Sequence, residues 1–308
     1  MRILVVGAGA VGGYFGGRLQ EKGVDVTFLV REGRKKQLDQ AGLVIDSVHG
    51  SVTLTPKLIL SGEEADPFDL ILLSTKAYHL QGAIDSFRQY VNEKTAILPL
   101  LNGISHIEQL AAEFGQERII GGLCFIETTL DQEGRIIQTS PRHDIVFGEL
   151  TGEKTERILK IEEAFSGTRS GYRLSDNINQ DLWNKYLFIS MMSGITTLMR
   201  APIGPIREMP SGRATIEKLS QEIISVMNKI GAPLPEDIAA LQLNQIDSLG
   251  YAMKSSMQRD MEKQLSVEAD HLHGYLLTIA RKEQIPVPVL EAVYANLKVY
   301  ELQLQQGK

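Results

Sequence analysis

The first pattern with chemical meaning is a GxGxxG motif, GAGAVG, that directly follows the apolar run RILVV. Gly7 permits a tight turn out of a strand, Gly9 lets the backbone approach a pyrophosphate, and Gly12 lets the next helix pack closely on the sheet. The N-terminus of that helix presents free N–H groups to phosphates. We expect this turn to bind a dinucleotide, the alternative being a structural glycine turn. The residues concerned are Gly7, Ala8, Gly9, Ala10, Val11 and Gly12.

Arg31 ends the second predicted strand, DVTFLVR, where NAD-binding turns often carry an acidic residue. A carboxylate there accepts hydrogen bonds from the ribose hydroxyls of NAD, whereas a planar guanidinium matches the 2′-phosphate of NADP. Arg34, Lys35 and Lys36 add positive charge nearby. These residues predict NADP(H) as the cofactor. The alternative is a solvated basic turn, which is the expected role of at least two of the four.

The spacing of apolar residues predicts an α/β domain around this motif. A helix over about 10–22 follows the glycine turn, and further strands are predicted at 70–75, 95–100 and 119–126. Helical stretches such as HLQGAIDSFRQYV and HIEQLAAEF separate these strands, which indicates a Rossmann-type, doubly wound parallel sheet. The segments RIIQT and DIVFGE are interpreted as a later hairpin or as edge strands.

The pattern changes at SGTRSGYRLSDN, a stretch rich in Ser, Gly and Asn that predicts a domain boundary. We therefore expect an NADP-binding domain over 1–170 and an all-helical substrate and catalytic domain over 171–308. In such an arrangement the substrate usually binds in the cleft between the domains. Apolar residues at three- and four-residue spacing predict helices over 178–199, 212–230, 235–247, 267–283 and 287–304.

Composition narrows the function classes. The net charge of -6, from 38 acidic and 32 basic residues, argues against a nucleic-acid binder. The single cysteine, Cys124, excludes an intramolecular disulfide and is interpreted as a small buried thiol rather than a nucleophile. The longest apolar stretch, YLFISMMSGITTLM, is too short to span a membrane, and the N-terminus does not resemble a signal peptide. We expect a soluble cytoplasmic protein and leave a homodimer open.

A nicotinamide cofactor implies hydride transfer, and ketone reduction also needs a proton donor at the carbonyl oxygen. Five segments occur in order: GAGAVGGYFG with Arg31, LLSTKAY, LNGISHIE, LWNKYLFISMMSGITTL and SSMQRDMEKQLSVEADHLHGYLL. With these segments the chain resembles the ketopantoate reductases (2-dehydropantoate 2-reductases) over essentially its whole length. The resemblance implies reduction of 2-dehydropantoate to pantoate, which feeds pantothenate and coenzyme A synthesis.

The resemblance also implies two ligand-binding residues that follow predicted strands. Lys76 corresponds to a lysine that contacts the cofactor near its phosphates or ribose. A lysine at a strand exit is otherwise often simply solvated. Asn102 corresponds to an asparagine that reaches the nicotinamide ribose and the substrate, although Asn-Gly is also an ordinary turn signal.

Three further roles follow from the resemblance. Lys185 corresponds to the proton donor, and the apolar run beside it should lower its pKa. A helix-end lysine that reaches solvent is the alternative. Glu268 corresponds to the acid that binds the substrate hydroxyl, the alternative being a carboxylate that stabilises a helix N-terminus. Ser256 corresponds to a serine that binds the substrate carboxylate. It converges with Glu268 only if the helix breaks near 264–266, because twelve residues of unbroken helix would separate them by about 120°.

His271 and His273 do not predict a metal site, because residues two apart on a helix point in different directions. We expect surface or core roles for both.

The chain departs from the family's pattern on the helix after Lys185. Many members carry asparagines four and eight residues on, where this chain has Ile189 and Ser193. These positions share a helical face with Lys185, and we expect that face, including Ser193, to contact the substrate. An unpaired polar group of the substrate would cost about 1–3 kcal/mol. Two alternatives therefore remain open, a reductase of another small 2-oxo acid and an NADP-binding sensor that has lost catalysis.

Overall fold

The computed structural model describes residues 1–306 and divides the chain into two units. Unit 1 contains Met1–Leu101 and His106–Asn179, and unit 2 contains Asn102–Ser105 and the chain from Gln180 onward. The division falls later than the predicted residue 170, because the strand at 171–174 pairs within unit 1. Sequence patterning also assigned Asn102–Ser105 to the first domain, whereas the structure assigns this short segment to unit 2.

A five-stranded parallel sheet forms the centre of unit 1, which confirms the predicted fold class. The strand order is β5-β2-β1-β6-β7, with every neighbouring pair parallel. The strands are β1 (Arg2–Val6), β2 (Asp25–Leu29), β5 (Lys57–Ile59), β6 (Leu70–Leu73) and β7 (Ala96–Pro99). Residues of β1, β6 and β7 are almost fully buried, since helices cover both faces of a doubly wound sheet.

A second sheet in unit 1 was not anticipated. Its order is β10-β9-β3-β4, with β8 paired antiparallel to β9. The run at 119–126 therefore belongs mainly to this sheet, and RIIQT and DIVFGE are two parts of one long strand rather than a hairpin. The strands are β3 (Leu43–Ser47), β4 (Val52–Leu54), β8 (Ile120–Leu130), β9 (Ile136–Glu149) and β10 (Gly171–Leu174).

The first helix lies between the two sheets and packs on both. A β-carbon at Gly16 would lie 2.7 Å from side-chain atoms of Val5 and Phe28, and one at Gly17 would lie 2.6 Å from Ile45. The small residues on both faces of this helix thus allow two close sheet contacts. The helices of this part of the chain are α1 (Ala10–Lys22), α2 (Glu32–Ala41), α3 (Leu80–Phe87), α4 (Ser105–Phe114) and α5 (Glu156–Phe165).

Unit 2 is helical, as the three- and four-residue spacing predicts. Its longest helix is α6, and a one-turn π-helix, Asp270–Gly274, precedes α11. Leu187, Met191 and Ile195 of α6 are fully buried in the core of this unit. The helices are α6 (Ile178–Met199), α7 (Ile203–Glu208), α8 (Pro210–Lys229), α9 (Ile238–Ser248), α10 (Ser256–Glu262), α11 (Tyr275–Lys282) and α12 (Pro288–Gln306). No helix within residues 1–306 has the length and apolar character needed to cross a membrane.

A carboxylate from α8 closes the N-terminus of α12. The Glu222 side chain accepts hydrogen bonds from the backbone N–H groups of Val289 at 3.1 Å and Leu290 at 2.9 Å. The first N–H groups of a helix have no partner inside the helix, and a negative charge is favoured there. Glu222 therefore stabilises α12 and its packing on α8.

We expect Glu222→Ala to lower the free energy of unfolding by about 1–2 kcal/mol, the usual cost of losing a helix cap. Urea denaturation followed by circular dichroism measures this loss. Glu217→Ala is the matched control on the same helix, because its carboxylate forms a solvent-accessible ion pair with Arg213, expected to contribute about 0.5 kcal/mol or less. Equal losses for the two variants would contradict the capping role.

Candidate active site

The glycine turn of unit 1 has the geometry that its sequence predicts. Gly7 has a φ of +98°, a conformation that glycine adopts without strain. A β-carbon at Gly12 would lie 2.2 Å from the Gly7 carbonyl oxygen and 3.0 Å from the Ser74 β-carbon. By contrast, a β-carbon at Gly9 would meet no atom of residues 1–306 within 4 Å, apart from those of its own chain neighbours. Gly7 and Gly12 are thus required by the fold itself, whereas Gly9 borders open space.

The surroundings of this turn fit a dinucleotide phosphate. Gly9 precedes the first residue of α1, so the unpaired N–H groups of that helix begin beside the open space. The Thr75 hydroxyl is buried close to Gly7 and has no hydrogen-bond partner among residues 1–306. A buried hydroxyl without a partner is costly unless a ligand or water satisfies it. The open space, the helix N-terminus and this hydroxyl therefore suit a polar, anionic group.

The basic residues after β2 divide into free and engaged side chains. Arg31 is exposed at the N-terminus of α2, and within residues 1–306 its guanidinium makes no hydrogen bond or ion pair. Arg34 instead donates from Nε to the Ala8 carbonyl at 3.0 Å and from Nη1 to the Gly134 carbonyl at 2.8 Å. Lys35 pairs with Asp39 at 2.8 Å. Arg31 is therefore available to a phosphate, while Arg34 supports the glycine turn.

Lys76 lies in unit 1, shortly after β6, the strand next to β1 in the sheet. It is half-buried and precedes a short 3₁₀ turn, Ala77–His79. The glycine turn, Arg31 and Lys76 thus follow the carboxyl ends of three neighbouring parallel strands, β1, β2 and β6. Ligands of open α/β sheets bind at this edge. Cofactor contact by Lys76 stays a prediction.

The remaining predicted residues with a role in chemistry belong to unit 2. Glu268 is buried, with 8% of its surface exposed, and lies just before the π-helical turn. Asn102 follows β7 and is half-buried, and its carbonyl accepts a hydrogen bond of 2.6 Å from His271 Nε2. Tyr186, the neighbour of Lys185 on α6, donates its hydroxyl to the Leu272 carbonyl. The turn after Glu268 therefore contacts both the Asn102 segment and the part of α6 that carries Lys185.

The helix that begins at Ser256 ends before Glu268, which is the condition for the two residues to converge. Helix α10 ends at Glu262, Gln264 takes a left-handed conformation with a φ of +55°, and Leu265 donates its backbone N–H to the Asp260 carbonyl. Carboxylate binding by Ser256 stays a prediction.

Ser256 itself is exposed, and its neighbour Ser255 has the structural role at this helix end. The Ser255 hydroxyl accepts from the backbone N–H of Gln258 and lies 2.8 Å from the Thr196 hydroxyl of α6. Ser255 therefore ties the start of α10 to the helix that carries Lys185.

Ser193 uses its hydroxyl within its own helix. The side chain is 4% exposed, and its hydroxyl donates to the Ile189 carbonyl four residues earlier. Thr196 and Thr197 make the same kind of contact to Met192 and Ser193. Hydroxyl side chains inside helices commonly bond in this way. The predicted substrate contact of Ser193 would need this hydroxyl to turn or to act as an acceptor.

Sequence reasoning missed residues beside the glycine turn of unit 1 and in the π-helical turn of unit 2. The role of Arg34 had a signal, since a basic residue close to a glycine turn can reach its carbonyls. Thr75 also had one, a hydroxyl residue directly after a buried strand. His271 had none, because neither the π-helical turn nor its contact with Asn102 follows from spacing.

His273 has a core role as expected, since it is fully buried, its Nε2 lies 2.9 Å from the Ser190 carbonyl, and burial lowers its pKa to about 4. Within residues 1–306 no group of three or more potential metal ligands occurs.

Two models of one known protein family match this chain, the first mainly within unit 1 and the second mainly within unit 2. The family model described as ketopantoate reductase PanE/ApbA matches residues 3–152, and its C-terminal counterpart matches residues 177–301. The chain belongs to the ketopantoate reductase family. It is accordingly an oxidoreductase, which the sequence predicts. The uncharacterized oxidoreductase YkpB of Bacillus subtilis (strain 168) is 49% identical over 301 residues, which cover 98% of this chain and 99% of that relative.

Solved structures share the whole fold. The 2-dehydropantoate 2-reductase of Geobacter metallireducens GS-15 is 29% identical, covers 97% of this chain and 99% of its own, and superposes with a TM-score of 0.87. A D-mandelate dehydrogenase in ternary complex with NADH and anilino(oxo)acetate has a TM-score of 0.88 at 22% identity, with 99% of this chain and 100% of its own covered. At that identity the likeness to the dehydrogenase shows the fold alone.

The glycine geometry predicts opposite results for two alanine substitutions. Gly9→Ala should fold like the wild type, because its β-carbon would point into open space. The same β-carbon would keep a pyrophosphate away from the backbone. NADPH should therefore bind at least about tenfold more weakly, as expected when a charge-assisted phosphate contact is lost. Gly12→Ala should lower the melting temperature, because its β-carbon would collide with the Gly7 carbonyl. Calorimetric titration with NADPH and thermal denaturation separate these effects. Unchanged affinity in Gly9→Ala would contradict phosphate binding at this turn.

Proposed function

We propose that this protein reduces a small 2-oxo acid with NADPH, and that 2-dehydropantoate, converted to pantoate, is its substrate. The observation that carries the proposal is the set of hydrogen bonds that unit 2 makes through the π-helical turn directly after the buried residue Glu268. The π-helical turn that follows Glu268 contacts the backbone of Asn102 and the α6 segment beside Lys185. Three side chains with matching roles in the family thus belong to one connected set of elements.

The residues of unit 1 would hold the cofactor. The N–H groups at the start of α1 and the Thr75 hydroxyl suit the pyrophosphate, and the exposed guanidinium of Arg31 suits the 2′-phosphate of NADPH. Lys76 would contact the ribose or the phosphates. NADPH, when bound, supplies the hydride that the ketone carbon of the substrate accepts.

The residues of unit 2 would act on the substrate. The Lys185 ammonium donates its proton to the carbonyl oxygen, where negative charge develops during reduction. The buried carboxylate of Glu268 accepts a hydrogen bond from the substrate hydroxyl and so orients the ketone. Asn102 contacts the substrate with its side-chain amide, and Ser256 contributes to binding of the substrate carboxylate.

A specific observation favours a second candidate, a reductase of another 2-oxo acid. The helical face after Lys185 offers the branched alkyl side chain of Ile189 and a Ser193 hydroxyl that donates to its own helix. Neither supplies the amide donor and acceptor that many family members present there. A substrate with an apolar group at this position would leave no polar atom unpaired.

The cellular role follows from the first candidate. Pantoate formation belongs to pantothenate and coenzyme A biosynthesis, and a cytoplasmic location fits that pathway and a single, buried cysteine.

Oxidation of NADPH by the purified protein tests the proposal directly. We expect turnover with 2-dehydropantoate and a much lower kcat/KM with 3,3-dimethyl-2-oxobutanoate, which lacks only the hydroxyl assigned to Glu268. Lys185→Ala should lower kcat by about 10²- to 10⁴-fold, the usual contribution of a positioned proton donor. Its dissociation constant for NADPH should stay close to that of the wild type.

Lys218→Ala serves as the control, because Lys218 is an exposed lysine of the same unit, on α8. Turnover only with other 2-oxo acids, such as phenylglyoxylate, would replace 2-dehydropantoate by the second candidate. Tight NADPH binding without turnover of any 2-oxo acid would refute the enzymatic proposal and favour a sensor.

Arg31→Glu tests the choice of cofactor. Loss of a charge-assisted phosphate contact should raise the KM for NADPH by about 10- to 100-fold and change the KM for NADH far less. Lys36→Glu makes the same charge change at another exposed residue of α2 and should affect NADPH only weakly. Equal effects of Arg31→Glu on NADPH and NADH would contradict recognition of the 2′-phosphate.

A further inference from the structure

Three consecutive residues of the π-helical turn after Glu268 form hydrogen bonds to other elements. His271 Nε2 lies 2.6 Å from the Asn102 carbonyl, the Leu272 carbonyl accepts the Tyr186 hydroxyl, and His273 Nε2 lies 2.9 Å from the Ser190 carbonyl. Single π-helical turns are rare and occur frequently at functional sites. Two of these hydrogen bonds go to α6, whereas the one from His271 goes to the Asn102–Ser105 segment.

The hydrogen bonds of His271 define its protonation. A carbonyl oxygen can only accept, so Nε2 carries a proton that it donates to Asn102. The other ring nitrogen, Nδ1, lies 3.1 Å from the Ser105 hydroxyl, which donates to it in the neutral imidazole. Burial lowers the pKa of His271, although the nearby charge of Glu268 opposes that shift. Both ring nitrogens are therefore satisfied without a positive charge.

His271 forms hydrogen bonds to the first and last residues of the Asn102–Ser105 segment and packs closely against Gly103 between them. Gly103 is buried and has a φ of +82°. A β-carbon there would lie 2.8 Å from His271 Nε2 and 3.1 Å from a Leu272 methyl carbon. The segment thus has one hydrogen bond at its first residue, one at its last, and no free space against the imidazole between them.

We propose that His271 is a positioning residue that fixes the Asn102–Ser105 segment and thereby aims the Asn102 side chain at the substrate and the nicotinamide ribose. The first part, fixing the segment, stands on the contacts above. The second part rests on the proposed function, because it uses the ligand contacts assigned there to Asn102. His271 itself needs no contact with substrate or cofactor in this role. The same contacts also hold the π-helical turn that follows Glu268 against this segment.

Hydrogen–deuterium exchange of the ligand-free protein tests the first part. In His271→Phe the ring is kept but both hydrogen bonds are lost, and amides of the segment 102–105 should exchange at least about tenfold faster, because the net contribution of two hydrogen bonds is removed. In His271→Gln the side-chain amide can still donate at the Nε2 position, so only the bond to Ser105 is lost and exchange should be clearly slower than in His271→Phe. His273→Gln is the matched control in the same turn and should leave this segment unchanged.

Two results would overturn this part. One is unchanged exchange of the segment in His271→Phe. The other is faster exchange of the segment in His273→Gln to the same extent, which would reflect general loosening of the turn.

A double-mutant cycle tests the second part. His271→Phe should lower kcat/KM for the 2-oxo acid by about 10- to 100-fold, the scale expected when a substrate-contacting group is misplaced. In an Asn102→Ala background the same substitution should have little further effect, because His271 acts through Asn102. A merely structural role would lower activity equally in both backgrounds, which would overturn the proposal.

The cycle remains informative if the proposed function fails. Should the wild type reduce no 2-oxo acid, the same four proteins are compared by their dissociation constants for NADPH. Non-additivity there supports the positioning role through the ribose contact, and additivity overturns it. The exchange experiment needs no ligand, so its result is separate from the fate of the proposed function.

Discussion

The close approach of α1 to the end of β1 is the constraint on which unit 1 depends. The space between Gly12 and the Gly7 carbonyl cannot hold a β-carbon, since the two atoms would be 2.2 Å apart. This approach lets α1 pack between the parallel sheet and the second sheet, with Gly16 facing one and Gly17 the other. It also brings the free N–H groups at the start of the helix to the open space beside Gly9. A packing requirement and a phosphate site therefore share one turn.

Unit 2 relies on a different device, in which side chains bind backbone carbonyls. His271, His273 and Tyr186 each donate to a carbonyl oxygen, and each joins the π-helical turn to another element. Carbonyls are fixed by the main chain, so such bonds define the position of an element more firmly than bonds between two flexible side chains. Burial lowers the pKa of both histidines and raises that of Tyr186, so the histidines stay neutral and the tyrosine stays protonated. Glu268 takes its place at the start of the turn that these bonds hold.

Residue type alone did not separate structural from ligand-binding roles in either unit. Arg31 and Arg34 are three residues apart, yet one is free in solvent and the other donates to Ala8 and Gly134. Ser255 and Ser256 are adjacent, yet the first caps α10 and contacts Thr196 while the second is exposed. In both pairs, the direction in which the backbone presents the side chain decides its role. The predicted substrate and cofactor contacts likewise depend on the direction in which the backbone presents each side chain.

Local pattern was sufficient for four of the five strands of the parallel sheet, the longer helices of unit 2 and the glycine turn, because period, turn chemistry and helix length are properties of neighbouring residues. It did not predict the short elements β5, α7 and α10. The bounds of α6, 178–199, follow directly from such signals. A break near Gln264 was only the condition for Ser256 and Glu268 to converge, and the structure has it. Pairing across long separations did not follow. The second sheet, the placement of β10 and the assignment of Asn102–Ser105 to unit 2 arise from contacts between distant segments. His271 is the clearest case, since its partners Asn102 and Ser105 precede it by more than 160 residues. Spacing reports only on neighbours, so folding alone reveals that contact.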